Sequence, residues 1–406
     1  MTEKRRKLIF FWTYREWGGA QIYFIAIMKV AKAYWDITVI IPKESSPEII
    51  RYLNETGVSV EYIDTYLDLD PAPTISRKFI RQWSRIKSEL MSLSYLTRYD
   101  LSQSILHIET SPWQSWIFIT LLRLRRANVF VTLHNAPSTP AKWRRIVWRS
   151  RMRFVSRLRG FHIFTSNNDT KNKIRDLVTS AFWDDIAVTY TCVDPPQIDS
   201  VLENSDPIAI RDRHGIARGR FVVLCVGQFI DRKGRWVFLE AAKRLKSEHP
   251  VILFVWVTPS LPDDDTNTQI AKYSLVDNFR MVLSADIGST REEILGFFRI
   301  ADIYALPSLI EGLPIALLEA MALALPCIST NVYAIPEAVH HNDTGVLIEP
   351  NDPEALAGEI RRLKADPELR RTLGANGRKY VLENFDERVA SNIAIAKYKE
   401  CFQDAG

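Results

Sequence analysis

The sequence predicts an α/β protein of two doubly wound domains, each built on a parallel sheet. Three observations carry this. Short β-branched runs alternate with longer helical patterns along the whole chain. Several of those runs are apolar at nearly every position, as strands buried on both faces are. A break rich in Pro and Asp, from Asp194-Pro195-Pro196-Gln197 to Asp206-Pro207, separates the runs into two series, so a linker is expected near 195–207. With 406 residues, 47% apolar and 25% charged, the chain can build two such cores without metal or disulfide staples.

The first series opens on Lys4-Arg5-Arg6-Lys7 and then Leu8-Ile9-Phe10-Phe11-Trp12. That apolar run is too short for a signal peptide and reads as a first buried strand over Lys7–Trp12. Further strands are expected at Ile37–Ile41, Val58–Ile63, Ser104–Ile108, Val129–Leu133, Phe161–Thr165 and Ile186–Tyr190. No apolar run approaches the roughly 20 residues of a membrane span. The four cysteines, Cys192, Cys225, Cys327 and Cys401, lie far apart with no C-x-x-C pair. This spacing argues against zinc and disulfides and fits a reducing cytosol.

After the first strand, Gly18-Gly19 opens a helical pattern through Ala33; paired glycines allow a ligand close to the backbone, although such junctions are more often plain turns. Asp68-Leu69-Asp70 has the look of a metal-binding pair but sits in a Pro-bounded, loop-like context. His107 and His134 each follow a strand, at the sheet edge where functional side chains collect. A single histidine there is more often structural. His107 is read as structural.

The most distinctive stretch of this half is Lys142–Arg159, with eight Lys and Arg and no acid. Trp148, Met152 and Val155 fall at i, i+4, i+7, which predicts a helix with an apolar stripe. Arg144, Arg145, Arg149 and Arg151 beside Trp148 suit an anionic membrane or acceptor surface. The alternative is a helix packed on its own domain with a solvated basic face. No nucleic-acid-binding motif accompanies the charge. Residues 1–205 carry a net +9 and residues 206–406 a net −4, so an anionic surface or polymer would meet the first half.

The second series predicts strands at Phe221–Val226, Val251–Val257, Phe279–Leu283, Asp302–Ala305, Pro326–Ser329 and Gly345–Ile348, and a closing helix over Asp386–Gln403. Val226-Gly227-Gln228-Phe229-Ile230-Asp231-Arg232-Lys233-Gly234 is a strand entering a Gly-bounded loop with two adjacent cations. Asp263-Asp264-Asp265 reads as a solvated acidic loop. After Asp302–Ala305 comes Ser308-Leu309-Ile310-Glu311-Gly312-Leu313-Pro314-Ile315-Ala316, with Glu319 eight residues beyond Glu311. Pro314 at a helix start leaves the following amides open to an anion. A carboxylate suits the paired hydroxyls of a ribose or sugar. Taken alone, the same stretch also fits an amphipathic helix with Glu before it.

The Glu311-to-Glu319 spacing resembles the E-x7-E signature of family 4 glycosyltransferases. The resemblance continues through Ile300-Ala301-Asp302, Pro336-Glu337, Thr344–Ile348, Asp352–Leu356 and Asp366-Pro367-Glu368-Leu369. It covers nearly all of 207–406, and the first half more thinly. It implies a GT-B fold, two Rossmann-like domains facing a central cleft. Residues 1–195 would be the acceptor side and 207–385 the nucleotide-sugar side, with helix 386–406 packing back on the first domain.

The implied activity is sugar transfer from a nucleotide-diphosphate sugar to a lipid-linked or glycan acceptor. Configuration would be retained and no metal or other cofactor needed. Lys233, Arg232, Gln228, Gly18, Gly19 and the segment Gly312, Leu313, Pro314, Ile315, Ala316 would bind the donor. Glu319 would hold the ribose, Glu311 the transferred sugar, and His134 would lie at the reacting centre. The family usually has Arg at the position of Gln228, and glycines at those of Thr191-Cys192, Thr258-Pro259 and Tyr333-Ala334. The implied location is the cytoplasm, at the inner membrane face, with no nucleic-acid partner. A nucleotide-sugar epimerase of the same fold and a non-catalytic basic membrane adaptor are the rival readings.

Overall fold

The computed structural model describes residues 5–67, 74–137 and 142–402, and its contacts divide the chain into two units. One is Met1–Tyr190 with Arg388–Gly406; the other is Thr191–Glu387.

The first unit carries β1 (Lys7–Phe11), β2 (Asp36–Pro42), β3 (Ser59–Ile63), β4 (Ser104–Ile108), β5 (Asn128–Leu133), β6 (Phe161–Thr165) and β7 (Ala187–Val188). They pair in parallel in the order β3-β2-β1-β4-β5-β6-β7. Every residue of β4 is buried, because helices cover both faces of the sheet. Alternate strand residues feed two apolar layers. Ile9, Leu106 and Val131 enter one; Phe10, Ile105 and Phe130 enter the other. The final helix, Glu387–Glu400, adds Ala394, Ile395 and Tyr398 to the second layer.

His107 lies in that layer with no exposed surface. Its Nδ1 meets the Tyr398 hydroxyl at 2.5 Å and its Nε2 the Thr132 hydroxyl at 2.8 Å. Burial, with a smaller contribution from His134, depresses its pKa to about 3. It is the structural histidine that its sequence setting suggested.

The second unit carries β8 (Phe221–Val226), β9 (Ile252–Thr258), β10 (Phe279–Leu283), β11 (Ile303–Leu306), β12 (Cys327–Thr330) and β13 (Val346–Ile348), in the parallel order β10-β9-β8-β11-β12-β13. In both sheets the order reverses once, between β1 and β4 and between β8 and β11. Loops leaving the carboxyl ends of such neighbouring strands diverge and leave a crevice for ligands. All four cysteines are free.

Three expectations need correction. Residues 195–207 are not a linker: Pro195–Asn204 is a helix of the second unit, and Pro207 begins another. Proline in the first helical turn starts a helix as readily as it breaks a chain, and Asp206 caps the second helix by accepting from the Ile208 amide at 2.8 Å. Asp263 likewise caps the helix Asp264–Ala271 through the Thr266 amide at 2.8 Å, so that triplet is not a loop. Asp68-Leu69-Asp70 lies outside the described residues.

The third correction concerns the basic helix, Lys142–Val155. Its stripe of Trp148, Met152 and Val155 is core, and Trp148 packs on Trp113 with ring centroids 5.4 Å apart. Arg145 and Arg149 converge on Asp176 at 2.9 and 2.8 Å, and Arg151 donates to the Trp113 carbonyl at 3.3 Å. These four do not form an open surface. Arg144 is exposed, with Trp143 and Ile146 beside it.

Candidate functional site

The reversal point of the second sheet brings two of the sequence-selected segments together. The loop leaving β8 runs through Gly227 into a single 3-10 turn, Asp231–Lys233, and ends at Gly234. Gly234 has φ +74, and a side chain there would run into the Pro307 carbonyl of the loop leaving β11. Glycine is therefore required twice over, by dihedral and by space. The Leu309 and Ile310 amides both donate to the Arg232 carbonyl, at 2.7 and 3.3 Å, and lock the two loops. From below, Thr330 at the end of β12 donates to the Ser308 carbonyl at 2.6 Å. Asp231 accepts from Arg235 and from the Trp236 indole, each at 2.8 Å, which fixes the 3-10 turn from its other side.

This frame buries a charge cluster. Glu311 is 6% exposed and forms an ion pair with Lys233. Ser308 donates to it at 3.2 Å, and the Arg232 guanidinium stands 3.9 Å away, half in solvent. The ammonium compensates the burial of the carboxylate, and a second cation faces outward. Glu319 is equally buried and pairs with Arg291, the first residue of the helix Arg291–Phe298. Arg291 was not singled out from the sequence. Its signal was available: Thr290 and Glu293 form a reciprocal capping box that fixes Arg291 at the helix start.

The helix Ile315–Ala322 begins beside Glu311. Pro314 is its N-cap and supplies no side-chain cap; the Leu317 and Leu318 amides turn back to the Pro314 carbonyl. The Ile315 and Ala316 amides belong to the first turn, where a helix has no carbonyl to offer them. Gly312 and Ala316 keep partial exposure while Leu313, Pro314 and Ile315 are buried, so this turn reaches the surface only at those two positions. The cluster thus offers an ammonium, a guanidinium, open amides and two carboxylates on one unit, a set suited to a polyanion carrying hydroxyl groups. Gln228 lies in the β8 loop and is half-buried. Tyr333, where the family resemblance leads one to expect glycine, holds φ +49. Among the described residues no group of three His, Cys, Asp or Glu is placed to hold a metal.

The remaining selected residues sit at the carboxyl edge of the first sheet. Gly19 starts the helix Gly19–Ala31, with Gly18 as N-cap in extended backbone at φ −172. Gly18 therefore uses no left-handed dihedral. Tyr23 of that helix meets the His134 ring edge-on at 5.0 Å, so the glycine turn and His134 share one region. Burial depresses His134 to about pKa 4, which leaves a neutral ring whose Nε2 is buried and has no hydrogen-bond partner.

Glu109, directly after β4, went unnoticed in the sequence. It is 8% exposed, one carboxylate oxygen lacks a hydrogen-bond partner, and burial pushes its pKa up to about 8. A single Glu at a strand end gives no sequence signal; its significance comes from lying at the sheet's reversal point.

Residues 207–380 match the family Glycosyl transferases group 1. An MMP alpha-(1->4)-mannosyltransferase of Mycolicibacterium hassiacum is 29% identical over 224 residues, 55% of this chain and 53% of that protein. A UDP-Gal:alpha-D-GlcNAc-diphosphoundecaprenol alpha-1,3-galactosyltransferase of Escherichia coli is 25% identical over 340 residues, 82% of this chain and 84% of that protein. Of the mannosyltransferase and several other curated relatives, the chain spans about half the length or less. Anabaena Alr3699/HepE, solved with UDP and glucose, superposes with a TM-score of 0.74 at 16% identity, covering 98% of this chain and all of that one. The chain has the GT-B fold, and its residues 207–380 carry the sequence pattern of the group 1 glycosyl transferases.

Proposed function

We propose that this protein transfers a sugar from a nucleotide-diphosphate sugar to a glycan or lipid-linked acceptor. Anomeric configuration is retained and protein groups, not a metal, meet the charge of the leaving diphosphate. The observation that carries the reading is the Glu311–Lys233 pair with Arg232 at its rim, set beside the first turn of the helix Ile315–Ala322, which reaches the surface at Gly312 and Ala316.

As the bond from sugar to diphosphate breaks, negative charge grows on the phosphate oxygens and positive charge on the sugar. Lys233, Arg232 and the Ile315 and Ala316 amides stabilise the first. Glu311 binds hydroxyls of the transferred sugar and stabilises the second. Glu319, held by Arg291, takes the ribose hydroxyls. Gln228 adds a neutral hydrogen bond. Gly18, Gly19 and the neutral His134 serve the sugar and acceptor on the first unit. The acceptor belongs at the inner face of a membrane when it is lipid-linked, a proposal supported by the galactosyltransferase relative whose name specifies a diphosphoundecaprenol-linked substrate.

The test is a panel of nucleotide sugars assayed for transfer and for slow hydrolysis. The wild-type protein should turn over one class of donor, and Glu311→Gln should lose at least about a hundredfold of that rate. Equal turnover by the variant would refute the assignment.

A further inference from the structure

Up to Ser92 the helix Ile75–Tyr95 is folded with its polarity reversed, while at its end Leu93 and Tyr95 pack on the core. Toward the first unit it turns Ser88 and Ser92, both buried, together with the largely buried Arg85 and Glu89. Arg85 reaches the Ser115 hydroxyl at 3.4 Å, and Glu89 keeps a buried oxygen without a hydrogen-bond partner. Toward solvent it turns Phe79, Ile80, Trp83, Ile86 and Leu90; Phe79 is 76% and Trp83 71% exposed. Positions 79, 83, 86 and 90 follow helical spacing, so the apolar residues form one continuous stripe. A helix that spends its buried face on serines and ions while exposing phenylalanine and tryptophan is arranged for an apolar phase outside the protein.

The stripe is bordered by cations. Arg77, Lys78 and Lys87 are exposed on the same helix, whose one acid is the inward Glu89. The next helix, Trp116–Leu124, packs beside it and exposes Ile117 and Leu124. Lys142–Val155 packs beside that in turn, exposing Trp143, Ile146 and Arg144. Apolar side chains standing among lysines and arginines, with acids absent from the outer face of these three helices, match the acyl boundary and anionic headgroups of a lipid leaflet. No helix among the described residues is long and apolar enough to cross a membrane.

We propose that the stripe on Ile75–Tyr95, extended by the outward residues of the two neighbouring helices, seats the first unit on an anionic membrane surface. Phe79, Trp83, Ile86 and Leu90 enter the interface and Arg77, Lys78, Lys87 and Arg144 meet lipid phosphates. The basic helix contributes through Trp143, Arg144 and Ile146, not through Trp148. The proposal stands apart from the transfer chemistry, because its test contains neither donor nor acceptor.

The experiment is flotation of the full chain with vesicles of phosphatidylglycerol and phosphatidylcholine in equal parts, and with phosphatidylcholine alone. The wild type should float with the mixed vesicles, and added salt should weaken the association. Phe79→Gln/Trp83→Gln/Leu90→Gln should partition at least about tenfold less. Because these side chains face outward, that variant should melt like the wild type; a second variant, Arg77→Glu/Lys78→Glu, removes charge without touching the stripe and should also float less. No wild-type flotation, or flotation unchanged in both variants, overturns the proposal. So does a wild type that ignores vesicles but sediments as a dimer dispersed by the triple substitution, since a second copy would then be the occupant.

Discussion

A carboxylate and an ammonium buried together stabilise a fold only while both are present. Glu311 is 6% exposed, and the Lys233 side chain 13%. Removing either partner leaves an uncompensated ion and should cost about 3 kcal/mol in urea unfolding; Lys233→Met/Glu311→Leu should recover much of that loss and still show no transfer. The comparison separates a structural pair from a working one, because only stability is restored. Two further groups tie stability to pH. Glu109 titrates near 8 instead of its ordinary 4.5, since burial disfavours its charge. Between those values the unfolded chain has released a proton that the folded chain keeps. Stability therefore falls as pH rises through the window, by at most about 1.4 kcal/mol per pH unit, and levels off above 8. Glu109→Gln should remove this decline in melts taken from pH 5 to 9. His134, depressed to about 4, acts at the other end: the unfolded chain binds its proton first, so stability is lost as pH falls from 6.5 toward 4.

At the scale of elements, two loops depend on one glycine. Gly234→Ala would place a methyl group against the Pro307 carbonyl in a left-handed backbone, and should cost about 2 kcal/mol while displacing the adjacent Lys233. Donor affinity should fall with stability, read by calorimetry and urea unfolding on the same samples. The strands were legible in the sequence, all thirteen within a residue or so at most ends, and most plainly in the sheet interiors, where parallel strands buried on both faces write themselves as unbroken apolar runs. β7 is the exception: Ile186–Tyr190 shortens to Ala187–Val188 at the sheet edge. Segments whose meaning depends on partners were less legible. Asp-Pro-Pro at 194–196 reads as a break and begins a helix. Arg145 and Arg149 read as part of a membrane or acceptor surface until Asp176 is placed between them. The reversed polarity of Ile75–Tyr95 is invisible without knowing which face the sheet covers.

For the whole molecule, the two strand-loop segments that bring Lys233, Arg232, Glu311 and Pro314 together could be picked out because the family resemblance is dense in the second half. Glu109 was not, since its place arises from sheet order; Arg291 had a sequence signal in the capping box before its helix, but its pairing with Glu319 did not. The charge division, +9 before residue 206 and −4 after it, is consistent with the two proposals, an anionic surface meeting the first half and a polyanionic ligand held by a few selected cations in the second. The central claim is that Lys233 and Glu311 grip a nucleotide-diphosphate sugar. Its most direct measurement is isothermal calorimetry of UDP- and GDP-sugars against the wild type, Lys233→Ala and Glu311→Gln, each checked for an intact melt. At least one donor should bind the wild type, lose about tenfold or more in affinity with Lys233→Ala, and lose its preference over the bare nucleoside diphosphate with Glu311→Gln. Donor binding of equal strength and equal sugar preference in all three proteins would contradict the account.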